Sequence, residues 1–194
     1  MSKVLFVNSC ARENSRTLLL AREVLDRLGG AVEEVELYKV DLAPLNADGL
    51  QARDEAASKK DFSDSRFDLA RQFSLADTIV IAAPYWDLMF PAILKTYFEA
   101  ITVNGLTFAY SEQGIPTGLC RARRMIYVTT AGGQIVKDFG FDYTNALAKT
   151  FYGIQDISCI RAEGLDIHGA DVDAILLSAK ESISNLFKDD RISP

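Results

Sequence analysis

Three short stretches of the chain carry residue types suited to gripping a small molecule. The first, Asn8-Ser9-Cys10-Ala11-Arg12-Glu13-Asn14-Ser15-Arg16-Thr17, places the hydroxyls of Ser9, Ser15 and Thr17 just ahead of a helical pattern. Backbone N–H groups at a helix start, at the positive end of the helix dipole, favour a bound phosphate. Asn14 or Ser15 can equally serve as a plain N-cap, and the two roles are compatible because a phosphate uses the same orphan donors. No glycine lies in this loop, so the G-x-G-x-x-G fingerprint is missing and a single terminal phosphate fits better than a dinucleotide. The second stretch, Pro84-Tyr85-Trp86-Asp87-Leu88, sets two π surfaces beside a carboxylate, although the rings could instead roof the core. The third, Thr130-Ala131-Gly132-Gly133, offers unhindered backbone for hydrogen bonds to a ring edge. A glycine pair alone is usually a turn. Taken jointly, phosphate cradle, aromatic wall and bare backbone imply a phosphorylated flat heterocycle.

Other chemistry is poorly served. His168 is the sole histidine and lies among Asp166, Asp171 and Asp173, so it reads as part of a solvated loop, not as a triad member or zinc ligand. There is no G-x-S-x-G and no G-x-x-x-x-G-K-[ST], hence no nucleophile elbow and no P-loop. Cys10, Cys120 and Cys159 are odd in number and share no ligand spacing, which points to no disulfide framework, no metal and a reduced cytoplasmic setting. The formal net charge of -6 argues against a nucleic-acid partner. The apolar run at Val4-Leu5-Phe6 is far too short for a signal peptide or a membrane span.

The elements that must position these loops follow from periodicity. Val4 to Val7 is a short buried-strand run, and Ile79 to Ala83 is another, closed by Pro84, which cannot donate to a ladder. Leu18, Ala21, Val24, Leu25 and Leu28 recur at helical steps until Gly29-Gly30. Val32, Val35 and Leu37, interleaved with glutamates, predict an edge strand. Residues 41–60 read as a polar excursion with a helix from Leu50, followed by a helix through Phe67, Ala70, Arg71 and Phe73. Phe90, Ile93, Leu94, Tyr97, Phe98 and Ile101 form a stripe with Pro91 in the first turn. A small hairpin is expected from Gly105 to Tyr110, a fourth core strand over Met125 to Thr129, and a helix around Tyr143 to Tyr152. A fifth strand over Ile157 to Ile160 and a closing helix from Val172 to Leu186 complete the pattern, with a frayed tail from Lys188 to Pro194. Five alternations without a linker or repeat specify one domain over 1–194, a three-layer sandwich around a five-stranded parallel sheet. The order 2-1-3-4-5 places its switch point between the first and third strands, where the loops after Val7 and Ala83 meet.

FMN is the natural candidate for such a ligand, and at these residues the chain resembles the FMN-dependent NADH:quinone oxidoreductases and azoreductases, flavodoxin-like homodimers. The resemblance covers most of the length. It rests on Lys3-Val4-Leu5 with Ser9 and Ser15-Arg16-Thr17, and on Ala82-Ala83-Pro84-Tyr85-Trp86-Asp87-Leu88. It continues through Leu94-Lys95-Thr96-Tyr97-Phe98-Glu99, Gly105-Leu106-Thr107-Phe108-Ala109-Tyr110, Gly132-Gly133 and Ala162-Glu163-Gly164. By this resemblance Ser9, Cys10, Ser15, Arg16 and Thr17 hold the phosphate, while Pro84 to Leu88 and Thr130 to Gly133 line the ring system. Phe108 and Phe151 of a partner subunit would wall the substrate pocket. The same resemblance implies NADH or NADPH as donor, hydride transfer at flavin N5, ping-pong turnover with quinones, azo compounds or other flat acceptors, and no catalytic side chain.

The chain departs from the family pattern. Tyr85-Trp86-Asp87-Leu88 stands where Met-Tyr-Asn-Phe is common, Ala131 replaces an arginine, and a histidine often found after the glycine pair is absent. If the Asp87 carboxylate faces the ring it should disfavour the anionic reduced flavin; if only its N–H does, little changes. Cys10 is either a redox-responsive thiol or, as cysteine commonly is, a small apolar filler. The hairpin near Phe108 and the apolar region of Ile101, Val103 and Leu106 are expected at a twofold interface. Two other readings stand beside the enzyme: an electron carrier docking through an acidic rim of Asp87 and Glu112, and a flavin-free domain on the same scaffold.

Overall fold

In the computed structural model, which describes residues 2–189, the first strand β1 (Lys3–Asn8) is an interior strand of the sheet, paired on both sides. Its side chains alternate in direction: Val4 and Phe6 enter one apolar layer, Leu5 and Val7 the other, and all four are buried. Helix α1 (Arg16–Leu28) follows, then β2 (Ala31–Glu36), α2 (Ala47–Lys59), α3 (Asp68–Leu75) and β3 (Thr78–Ala82). Next come α4 (Ala92–Ile101), the short strands β4 (Phe108–Tyr110) and β5 (Pro116–Gly118), then β6 (Arg124–Thr130). The chain closes with α5 (Phe139–Leu147), β7 (Asp156–Ala162) and α6 (Val172–Asp189).

The main sheet runs β2-β1-β3-β6-β7 with every pairing parallel, which is the expected 2-1-3-4-5 order once the β4–β5 hairpin is set aside. Leu20, Val24 and Leu25 of α1 and Ala179 and Ile183 of α6 cover one face. Phe73 of α3 and Leu94, Tyr97 and Phe98 of α4 cover the other. This three-layer arrangement satisfies the apolar face of each helix against a sheet buried on both sides.

Several boundaries differ from the expected ones for identifiable reasons. Leu37 is not in β2; it opens a 3-10 turn through Lys39 and is buried. The helix expected from Leu50 starts at Ala47 because Asn46 accepts the Gly49 N–H at 2.9 Å. Pro91 is the cap before α4 and not part of its first turn. Residues 105–107 form the turn before the hairpin. Helix α5 starts at Phe139, ahead of the expected Tyr143, capped by Asp138, and ends in a π-helical turn from Ala148 to Tyr152. Lys188 still lies in α6, and residues 190–194 of the expected tail are outside the described residues. Ile101 and Val103 cannot form an intersubunit face, since both are buried in their own core and Leu106 packs against it.

Candidate functional site

β1 and β3 end side by side at the switch point. Asn8 uses its carboxamide oxygen to accept the Cys10 N–H at 3.0 Å and donates to Glu34 at 3.0 Å, turning the chain sharply. Ser9 is fully buried and spends both donors on the Ala82 carbonyl, N–H at 3.0 Å and Oγ at 2.7 Å. Its hydroxyl therefore braces the two strand ends. Cys10 packs against the apolar layer that holds α1, and burial pushes its thiol up to about 11. The geometry is that of a filler.

Ser15 caps α1, its Oγ accepting from the Leu18 N–H at 3.4 Å, while its own N–H reaches the Arg12 carbonyl at 3.2 Å. The backbone N–H groups of Arg16 and Thr17 have no partner among the described residues. These open donors at the start of a thirteen-residue helix are an anion cradle. The Thr17 hydroxyl meets the Thr130 hydroxyl at 2.6 Å, joining the first loop to the end of β6. Arg16 leans across instead of outward: Nη1 donates to the Leu165 carbonyl at 2.9 Å and Nη2 to Asp166 Oδ1 at 2.5 Å.

The aromatic loop is held against β6, with the Tyr85 N–H donating to the Thr130 carbonyl at 3.0 Å. The Tyr85 hydroxyl donates to the Lys137 carbonyl at 2.8 Å, which fixes its ring over the loop ahead of α5. Trp86 and Met89 exchange two backbone bonds of 2.8 Å each, closing a two-residue turn in which Asp87 and Leu88 have φ of 51° and 69°. Such turns normally hold Asn-Gly or Asp-Gly, because a branched side chain at positive φ crowds its own backbone. The turn separates its members: Trp86 stays at the cleft, whereas Asp87 and Leu88 face a second groove with Met89, Phe139, Asp142 and Tyr143.

The third loop is zipped to the loop after β7. Ala131 N–H donates to Ala162 carbonyl at 2.9 Å, Leu165 N–H to Ala131 carbonyl at 3.2 Å, and Asp166 N–H to Gly132 carbonyl at 2.8 Å. Glu163 accepts the Ile135 N–H at 2.8 Å. A Cβ on Gly132 would run into the Asp166 carboxylate, so a larger residue here would displace the side chain that holds Arg16.

Together the loops enclose a cleft of about 510 Å³, within the usual size for a small-molecule site. Ser15, Arg16, Thr17, Pro84, Tyr85, Trp86, Thr130, Ala131 and Gly132 of the expected residues meet there. Ser9, Cys10, Asp87, Leu88 and Gly133 do not line it. Phe108 and Phe151 pair with each other edge-on, ring centroids 5.0 Å apart, away from the cleft. Asp166, Leu165 and Arg12 line it although no motif marks them, and Asn14, an alternative N-cap, lines it while Ser15 does the capping. In the sequence Asp166 stands out only as a neighbour of exposed His168; its position two residues beyond Ala162-Glu163-Gly164 is the available signal. Among the described residues no cluster of His, Cys, Asp or Glu could hold a metal, and no helix is long and apolar enough to cross a membrane.

A parallel sheet of this order, with an anion cradle and an aromatic wall at its switch point, defines a flavodoxin-like protein. A sequence profile for the flavodoxin-like fold matches residues 2–187. The FMN-dependent NADH:quinone oxidoreductase of Coprothermobacter proteolyticus is 33% identical over 97% of this chain and 99% of its own length. That of Lachnoclostridium phytofermentans is 34% identical over 97% and 100%. The chain belongs to this family of flavodoxin-like FMN-dependent NADH:quinone oxidoreductases. Among solved structures, an azoreductase from Bacillus anthracis superposes with TM-score 0.83 at 24% identity, covering 96% of this chain and 98% of that one. An FMN-dependent NADH-azoreductase of the same species, in complex with FMN, gives 0.76 at 22%, over 96% and 99%; these two likenesses concern the fold.

Proposed function

We propose that the cleft binds FMN and that the protein, folded as one domain, passes two electrons from NADH or NADPH to quinones, azo compounds or similar flat acceptors. The observation that carries this reading is the meeting, in one cleft, of two open N–H donors at the start of α1, the Tyr85–Trp86 wall and the Gly132 N–H, the one N–H of Ala131–Gly132 not used in pairing with the loop after β7. The names of the relatives support it. Ser15, the Arg16 guanidinium and the N–H groups of Arg16 and Thr17 would hold the phosphate. Ser9 and Cys10 would contribute behind them as a brace and a filler. Pro84, Tyr85 and Trp86 on one side, with Thr130 to Gly132 on the other, would confine the ring, and Gly133 would lie outside it. Asp87 and Leu88 would meet it only through backbone, so the carboxylate would not depress the flavin's potential.

When bound, the flavin supplies hydride acceptance and return at N5, and the protein supplies position and a partly dry pocket. For a quinone the balance is NAD(P)H, a proton and quinone giving NAD(P)+ and hydroquinone. No side chain of the cleft is placed as an acid or base, so the proton comes from water. One open site visited in turn predicts parallel initial-rate lines when donor and quinone are varied; intersecting lines would contradict sequential occupancy. Steady NADH consumption by the purified protein with a small quinone separates this reading from a docking electron carrier.

We further propose a cytoplasmic homodimer. Tyr110, Ile115 and Leu119 are exposed on and around the hairpin, a surface a second copy would cover. Phe108 is buried against Phe151, so the half-buried Phe151 and exposed Tyr110 are what a partner's pocket could reach. Light scattering at the mass of one chain would overturn the dimer.

A further inference from the structure

Beside the cleft lies a second concavity of about 590 Å³ lined by Asp87, Leu88, Met89, Phe139, Asp142 and Tyr143. It begins where the cleft's aromatic wall ends: Trp86 lines the first and the next residue, Asp87, lines the second. The left-handed backbone at Asp87 and Leu88 makes this division by turning both side chains out of the cleft. A tight turn with a leucine at positive φ is a costly way to build a loop. What it yields here is an apolar side chain on the groove's wall beside Met89, Phe139 and Tyr143.

The charges around the groove are unequal. Neither the Asp87 nor the Asp142 carboxylate has a hydrogen-bond or ion-pair partner among the described residues. Lys95 stands 5.9 Å from the Tyr143 ring centroid, but its charge is matched by Glu99. Asp138 is matched by Arg161 at 2.6 Å. That leaves Lys137, 5.4 Å from the Phe139 ring centroid and bound to no carboxylate, against two unpaired aspartates.

We propose that this groove is the outer part of the acceptor site, taking the substituents of a flat acceptor whose reacting ring lies in the cleft, and that Asp87 and Asp142 make the protein select neutral and cationic flat acceptors over anionic ones. The proposal rests on the flavin reading above, because an acceptor must lie next to the flavin. The apolar walls suit a ring system by area burial. An anionic substituent on the same ring meets two uncompensated carboxylates, each worth about fivefold in binding at ~4 Å in water and less at greater distance or higher salt.

The test uses three naphthoquinones with one ring system, bearing no charge, a sulfonate or a quaternary ammonium. The protein loaded with FMN is assayed for kcat/KM with each at low and high ionic strength. The fluorescence of Trp86, the single tryptophan and a residue of the connecting turn, reports binding of each quinone to flavin-depleted protein. The expected order is cationic and neutral ahead of sulfonated, the last weaker by roughly five- to twentyfold, with the gap narrowing at high salt. In Asp142→Asn the ratio of neutral to sulfonated shrinks, and in the Asp87→Asn/Asp142→Asn double variant it closes. Asparagine tolerates the left-handed conformation at 87, and residue 142 is exposed, so both variants should fold. Equal values for the three quinones, or a ratio untouched in the double variant, overturns the selection while leaving the reductase reading intact. Loss of the reductase reading itself shows differently, as no NADH consumption with any quinone.

Discussion

Arg16 illustrates how a side chain can be prepared for a ligand before one arrives. Two acceptors from a single loop, the Leu165 carbonyl and Asp166, hold its guanidinium over the cleft. The ion pair is open to solvent, with the Arg16 and Asp166 side chains 36% and 66% exposed, so its loss should cost at most about 1 kcal/mol of stability. Its effect belongs to binding. Asp166→Ala should weaken FMN binding on the order of two- to tenfold, the cost of freezing a long side chain that Asp166 otherwise holds in place. Titration of flavin fluorescence checks this, and an unchanged affinity would remove Arg16 from the phosphate site. The three thiols make a second case at this scale. Burial raises Cys10 to about 11 and Cys120 and Cys159 to about 12 from an ordinary 9.0, and burial raises Tyr97, Tyr127 and Tyr152 as well. The folded state therefore binds protons that the unfolded chain releases. This contribution to stability is fully present below pH 9 and falls as pH climbs through 11 to 12. Urea midpoints that decline over this alkaline window would agree; a midpoint that rises there would not.

At the scale of elements, the two turns that matter most are also the most constrained. β5 crosses the end of the π-helical turn so closely that a Cβ on Gly118 would strike the backbone of Tyr152 and Gly153. Backbone cannot step aside as a side-chain tip can. Gly118→Ala should therefore destabilise by at least roughly 1–3 kcal/mol, seen as a lower denaturation midpoint; a neutral result would mean the hairpin can lift off α5. The Trp86–Met89 turn behaves oppositely. Leu88→Gly supplies the Asp-Gly pair that such a turn favours and should stabilise by about 0.5–1 kcal/mol once the loss of a half-exposed leucine is offset. The same change removes apolar wall from the acceptor groove, so thermal midpoint should rise while KM for quinone rises with it. Elements were legible where pattern and burial agree. β1, β3 and β6 are short apolar runs buried on both faces, too short for a helix and closed by polar residues or proline. The start of α5 was hidden because Phe139-Gly140-Phe141 does not look helical. Gly140 is there for packing, since a Cβ would stand 2.9 Å from the Tyr127 hydroxyl.

Across the whole molecule, the site is a product of topology. The loops after β1, β3, β6 and β7 converge only because the sheet order places their carboxyl ends in one row. Residues whose role depends on type alone, such as Ser15, Tyr85 and Gly132, could be picked from the chain. Residues whose role depends on direction could not. Ser9 turns to the Ala82 carbonyl, Asp87 turns into the neighbouring groove, and Asp166 reaches back over about 150 residues to Arg16, and none of these follows from spacing. The same distinction applies to the hairpin, where Phe108 was the expected contact but Tyr110 and Ile115 are the exposed ones.

The central claim, that the cleft holds a flavin that the donor reduces, is tested most directly by one titration. Purified protein is saturated with FMN, passed through a desalting column, and its visible spectrum followed without oxygen as NADH is added. Retention of one FMN per chain and bleaching of the yellow band by one equivalent of NADH is the predicted result. A protein that stays colourless after incubation with FMN would contradict the account.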